Sequence, residues 1–158
     1  MQRITDLICI SCLALFFFAS CGTDKNPVSP NDAANLGNGC VVKQGDVQVV
    51  RAEGDSVTNN FFVQENTQSP LLSLYLIDSK GKEFQPEAQE YLLMWQSQNP
   101  GVADVVQYQT DGAWNFHVKG FDMGTTSVVL KILKGQEEKF VSAPLPVQVT
   151  ENSGGLAK

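Results

Sequence analysis

His117 is the only imidazole in 158 residues, and four cysteines supply the only thiols. A histidine can ligate a metal or act as a general base near neutral pH. A zinc site needs three or four protein ligands, and no HxH, HxxxH or CxxC pattern accompanies His117. No Ser or Cys sits in a recognisable nucleophile motif. The expectation is therefore an ordinary sheet-face histidine, with no catalytic residue, no metal and no cofactor. The carboxylates are the other candidates for chemistry. Glu87 and Glu90, Glu137 and Glu138, and Asp78, Glu83 and Asp122 all fall near turn signals. Paired carboxylates about 5–9 Å apart perform glycoside hydrolysis, and loop acids with carbonyls hold Ca²⁺. No DxDxDG loop is present, so these residues read as solvated turn positions.

These side chains have to be positioned by strands. Trp114, Phe116 and Val118 alternate with Asn115, His117 and Lys119, which sets an apolar face against a polar one. Val128, Leu130 and Ile132 share a face in the next apolar run, and Leu145, Val147 and Val149 share one in the last. The Asp111-Gly112 pair is a hairpin signal. Lys134-Gly135 and Asn99-Pro100-Gly101 punctuate the chain in the same manner. The expected strands lie near 47–51, 57–64, 71–78, 91–97, 102–108, 113–119, 126–133 and 140–150, with at most one helical turn at 85–90. The fold class is all-β, an antiparallel immunoglobulin-like sandwich of about seven to nine strands. The expected core contains Trp95, Val102, Val105, Trp114, Phe116, Val118, Leu130 and Val147. Trp95 is expected between the sheets, and Gly120 and Gly124 at positions that require positive φ. The run Leu71 to Ile77 is apolar on both faces and needs cover, expected from residues 40–63 including Phe61 and Phe62; left uncovered, it would be a partner surface.

The N-terminal segment carries a different signal. Arg3 precedes Leu7 to Phe18, twelve apolar or small residues without a charge. A membrane-spanning helix needs about 20 residues, so the run reads as a secretory signal. It ends Phe18-Ala19-Ser20-Cys21 and resembles the bacterial lipoprotein signal. That resemblance implies cleavage before Cys21 and acylation of Cys21, palmitate included. It further implies a membrane-held mature protein, in the outer rather than the inner membrane because Gly22 follows the cysteine. The organisation expected is a signal peptide at 1–20, a lipidated Cys21 with a linker to residue 39, a sandwich at 40–151 and a frayed tail at 152–158. Residues 22–39 are rich in Gly, Pro, Asn and Asp and lack periodicity, which suits a tether. Extended, it reaches roughly 60 Å at about 3.3 Å per residue. Processing would remove Cys9 and Cys12 and leave Cys21 acylated. Cys40 would then have no partner within the chain, as either a buried apolar residue or one half of an intermolecular bridge.

The stretch Trp95-Gln96-Ser97, Asn99-Pro100-Gly101 and Val102-Ala103-Asp104-Val105 resembles bacterial immunoglobulin-like domains of intimin- and invasin-type surface proteins. The likeness continues through Val118-Lys119-Gly120, Gly124-Thr125-Thr126 and Pro146-Val147-Gln148-Val149. It implies a sandwich and no shared active site. The net charge of −6 disfavours nucleic acid and anionic lipid as partners. The expected function is a lipid-anchored cell-envelope protein, not an enzyme, with an immunoglobulin-like module that binds a protein or glycan. The alternative is an accessory structural subunit of an envelope complex.

Overall fold

The computed structural model describes residues 36–152. Cys21, the signal-like segment and nearly all of the expected tether and tail lie outside the described residues. Within them the chain is all-β, an antiparallel sandwich of the immunoglobulin-like kind. Its strands are β1 (Gly39–Gln44), β2 (Val47–Glu53), β3 (Ser56–Thr58), β4 (Phe61–Gln64), β5 (Leu72–Ile77) and β6 (Glu83–Phe84). They continue with β7 (Leu92–Ser97), β8 (Ala103–Val106), β9 (Asn115–Gly120), β10 (Gly124–Lys134), β11 (Glu137–Val141) and β12 (Leu145–Thr150). One sheet runs β3-β2-β1-β5-β9-β8, with β6 also on β5. The other runs β11-β10-β12-β4, with β7 on β10. Every pairing is antiparallel except that of β12 with β4.

Twelve strands replace the seven to nine expected, for local reasons. The stretch 57–64 breaks into β3 and β4 because Asn59 adopts φ 66°, a left-handed conformation that stops a ladder. The stretch 140–150 divides where Ser142 to Pro144 carry the chain from β11 to β12, and Pro144 has no N–H to donate. β1 and β6 are not among the expected strands, and β1 begins one residue before the expected start of the sandwich at residue 40. Just upstream, the Leu36 N–H donates to the Lys139 carbonyl at 2.8 Å, which fixes where the chain enters the sandwich. Residues 87–90 form the single turn expected, closed by the Glu90 N–H on the Glu87 carbonyl.

One core lies between the sheets. Leu72, Leu74 and Leu76 of β5 and Phe116 and Val118 of β9 face Leu93 of β7, Leu130 and Ile132 of β10, and Leu145 and Val147 of β12. Val105 and Trp114 are buried in it as well, with the Trp114 Nε1–H on the Pro86 carbonyl at 2.9 Å. Trp95 and Val102 are only half-buried against its margin. β7 is an outermost strand, so an inward-pointing ring there is covered from one side only.

The outer side of β5 is covered from within residues 40–63, as expected, but not by Phe61 and Phe62. Phe61 belongs to the core, while Phe62 is 66% exposed. Cross-strand neighbours do that work. Val41 of β1, fully buried, stands between Arg51 on one side and Tyr75 on the other. Lys43 pairs with Glu83, Arg51 pairs with Glu53, and Arg51 reaches Glu83 at 3.7 Å, roofing that face with charge over apolar stems. The Lys43 ammonium also lies 5.3 Å from the centre of the Tyr75 ring.

The Trp95-to-Val105 stretch crosses from one sheet to the other. The Asn99 carbonyl accepts the N–H groups of Val102 and Ala103, and its side chain accepts the Gly101 N–H at 3.2 Å. The Ser97 hydroxyl donates to the Ala103 carbonyl at 2.6 Å, tying the end of β7 to the start of β8. Gly124 does hold φ 145°. Gly120 does not need positive φ. It is glycine because a Cβ there would meet the Gln64 carbonyl oxygen at 2.8 Å and methyls of Val63 and Val149 at 3.0 Å.

Two substitutions test this packing. Phe116→Ala is expected to cost about 3–5 kcal/mol, the usual cost of truncating a fully buried aromatic, and Trp95→Ala distinctly less. Urea unfolding of both variants measures the difference, and equal losses would contradict the marginal position of Trp95.

Candidate functional site

The structure brings His117 into a polar cluster. Its Nδ1 lies 2.8 Å from the Ser69 carbonyl oxygen, which can only accept, so Nδ1 carries the proton. Its Nε2 lies 3.7 Å from an Asp111 carboxylate oxygen, and the Tyr108 ring meets the imidazole edge-on at 5.6 Å. Ser69 from the segment between β4 and β5, His117 of β9 and Asp111 of the loop before β9 therefore share one patch. Their wiring is not that of a nucleophile and its base. The Ser69 hydroxyl accepts the Val118 N–H at 3.0 Å and donates to the Pro70 carbonyl at 2.9 Å. Asp111 accepts the Tyr108 N–H at 2.8 Å and so closes its own turn. The Asn115 amide donates to the Asp111 carbonyl at 2.6 Å, and Gln107 donates to the carbonyls of Gly112, Ala113 and Asn115. The cluster ties residues 107–115 and 69 onto β9. Asp111 was visible as a turn residue, but Ser69 is 48 positions from His117 and only the fold could place it.

The carboxylates weighed for chemistry are dispersed. Asp78 accepts the N–H groups of Lys80 and Lys82 at 2.8 and 2.9 Å, and these bonds hold its carboxyl below the usual range. Glu83 lies in β6 rather than a turn and pairs with Lys43. Glu137 and Glu138 lie in β11 rather than a turn, paired with Lys139 and Lys131 at 2.7 Å each. Glu90 pairs with Lys134 at 2.6 Å, and that bond pushes the Lys134 ammonium up. Among the described residues no three His, Cys, Asp or Glu side chains gather to hold a metal ion.

Two concave surfaces stand out among the described residues. A cleft of about 870 Å³ opens at the end where the chain enters, between the start of β1, the β2–β3 and β5–β6 turns and the segment 140–144. Ile77, Phe140 and Val141 supply its apolar wall, and Glu53, Asp55 and Asp78 its acidic side. A shallower groove of about 290 Å³ runs over β7 and β10 between Met94, Gln96, Lys131, Leu133 and Glu138. At the opposite end from the cleft, loops 65–68, 98–102 and 121–123 form the tip. They are held together by the Gly120 N–H on the Thr67 carbonyl and the Phe121 N–H on the Val102 carbonyl.

The segment Leu71 to Ile77 is largely covered within the sandwich. β5 is an interior strand between β1 and β9, and only Leu71, just outside it, is substantially exposed.

No protein-family model matches the chain, and no curated protein does so. Among solved structures, the chain is similar to domains 4 and 5 of the S-layer protein SbsC, at 19% identity over 70% of this chain and 46% of that one, with a TM-score of 0.40. Domains 5–6 of that protein match at 19% identity over 64% and 45%, TM-score 0.41. Domains 4–9 match at 19% over 77% and 19%, TM-score 0.42. The chain thus spans less than half the length of each of these structures, and none of the three is an intimin or invasin domain.

Cys40 is buried and free, and burial pushes its thiol up to about 12. The thiol ionises in the unfolded chain near 9.0 but stays protonated in the fold. The folded state then binds the extra proton above that pH, so this contribution is complete below about 9 and is lost as pH rises toward 12. Each pH unit in that window is worth at most about 1.4 kcal/mol. The stability difference between wild type and Cys40→Ala is expected to shrink from pH 9 upward in urea titrations. A difference that stays constant to pH 11 would contradict the buried thiol.

Proposed function

We propose that this chain is a lipid-anchored protein of the cell envelope whose immunoglobulin-like sandwich binds a protein or glycan and does not catalyse. The observation that carries the reading is directional. The described chain enters the sandwich at one end, where Leu36 is pinned to Lys139. The loop tips at 65–68, 98–102 and 121–123 lie at the other end. With Cys21 acylated and the residues before Leu36 as a tether, the anchor joins the sandwich at the entry end, and those tips lie at the end farthest from it. Met123 is well exposed among them, beside Asp122. Loop tips on a rigid sandwich are the usual place for a binding surface. The non-catalytic part of the reading rests on His117, whose Nδ1 is committed to a backbone carbonyl and whose Asp111 neighbour closes a turn.

Metabolic labelling with an alkynyl fatty acid tests the anchor. The full chain is expected to label and to fractionate with membranes, and Cys21→Ala to do neither. A Cys21→Ala chain that still labels would overturn the anchor. Reproducible ester, peptide or glycoside turnover by the purified chain, lost in His117→Ala, would overturn the binding role.

A further inference from the structure

β7 is an open sheet edge of unusual composition. Among the described residues it pairs only with β10, through Leu92 to Ser97 opposite Leu133 to Val128. The other outer strands carry the features that discourage edge pairing. β3 has three residues and β6 two, β8 has four and contains Asp104, β4 has four, and β11 carries Glu137, Glu138 and Lys139. β7 has six residues, no charge and no proline. Its outward side chains Leu92 and Met94 are 55% and 44% exposed. They adjoin Leu133 and Lys131 of β10, and Lys131 in turn lies opposite the exposed Val141 of β11.

The backbone of this edge is available in a regular pattern. The Gln98 N–H donates to the Ser127 carbonyl across to β10. Antiparallel alternation then turns the N–H and C=O groups of Gln96, Met94 and Leu92 inward to β10, and those of Leu93, Trp95 and Ser97 outward. Trp95 of this strand is only half-buried.

We propose that β7 pairs antiparallel with β7 of a second copy of this chain, joining the two five-stranded sheets into one. Charge favours a second copy. The chain as a whole carries −6, yet the segments 90–97 and 129–141 that make this face hold Lys131, Lys134 and Lys139 against Glu90, Glu137 and Glu138. Their ion pairs leave the face neutral, so two copies can meet here without the repulsion their other surfaces would impose. The register follows from the free groups. With Met94 opposite Met94, Leu93 and Trp95 of one copy exchange hydrogen bonds with Trp95 and Leu93 of the other. Leu93 then packs beside the exposed side of the partner copy's tryptophan, and Leu92 faces Gln96. The inference stands on the geometry of β7 and requires neither the lipid anchor nor a ligand.

Met94 would occupy a non-hydrogen-bonded pair, where Cα atoms lie about 4.5 Å apart and a disulfide can form. Met94→Cys in the full chain in detergent, treated with a mild oxidant, is expected to give a species of twice the chain mass on a non-reducing gel. With Cys9, Cys12 and Cys21 replaced by Ser in every sample, the chain with Met94 intact and Phe62→Cys, on the opposite edge strand, are expected not to. Met94→Lys places like charges face to face and is expected to abolish the dimer in sedimentation equilibrium. Its melting temperature should hold, because Met94 is exposed. A monomeric unsubstituted chain, absence of the doubled species from Met94→Cys, or an adduct with a different protein would each overturn the proposal.

Discussion

The sandwich depends on a single apolar layer shared by two sheets that have few backbone contacts with each other. Leu72, Leu74, Leu76, Phe116 and Val118 come from one sheet, and Leu93, Leu130, Ile132, Leu145 and Val147 from the other. Burial of such side chains contributes roughly 1.5–3 kcal/mol each, before conformational entropy is set against it. The sheets approach closely at Gly120, where β9 lies so near β4 and β12 that a side chain would clash. Everything outside this layer is arranged around it. The crossing at Asn99 carries the chain between sheets without leaving polar groups bare, and the loop cluster at His117 ties a long connection down onto β9.

Two outer faces solve the same problem differently. On the sheet containing β1 and β5, Val41 is covered by Arg51, Tyr75 and the Lys43–Glu83 pair, so the face is charged above and apolar below. On the other sheet, Lys131–Glu138 and Lys134–Glu90 cross an apolar surface without covering Leu92 and Met94. The difference arises from strand position. Val41 lies on an interior strand with long side chains on both flanking strands, whereas among the described residues β7 has a neighbour on one side only.

The polar cluster around His117 shows why residue type alone is a weak guide to chemistry. Ser69, His117 and Asp111 lie in one patch, but the Ser69 carbonyl rather than its hydroxyl meets the imidazole, and the hydroxyl is engaged with Val118 and Pro70. Donor and acceptor assignments, each fixed by a backbone position, make the group a clamp.

Much of the sandwich was legible in the sequence, because alternation is a local property. The Trp114–Lys119 and Ser127–Leu133 patterns give strands whatever lies across from them, and Asp111-Gly112 and Asn99-Pro100-Gly101 give turns from their own dihedral preferences. Burial depth was not local. Trp95 and Leu93 alternate onto the same face, yet only Leu93 is fully buried, since cover depends on which strand lies beyond β7. Phe61 and Phe62 are adjacent and chemically identical, and pleat and sheet order send one into the core and the other to solvent. Gly120 read as a conformational glycine and proved to be a spatial one, because the crowding atoms come from Gln64, Val63 and Val149. The sequence by itself determined which residues form strands and where they turn, through short-range sterics and period-two hydrophobicity. Only the tertiary structure decided which faces are covered, which edge stays open and which polar groups meet His117, because those depend on partners far away along the chain.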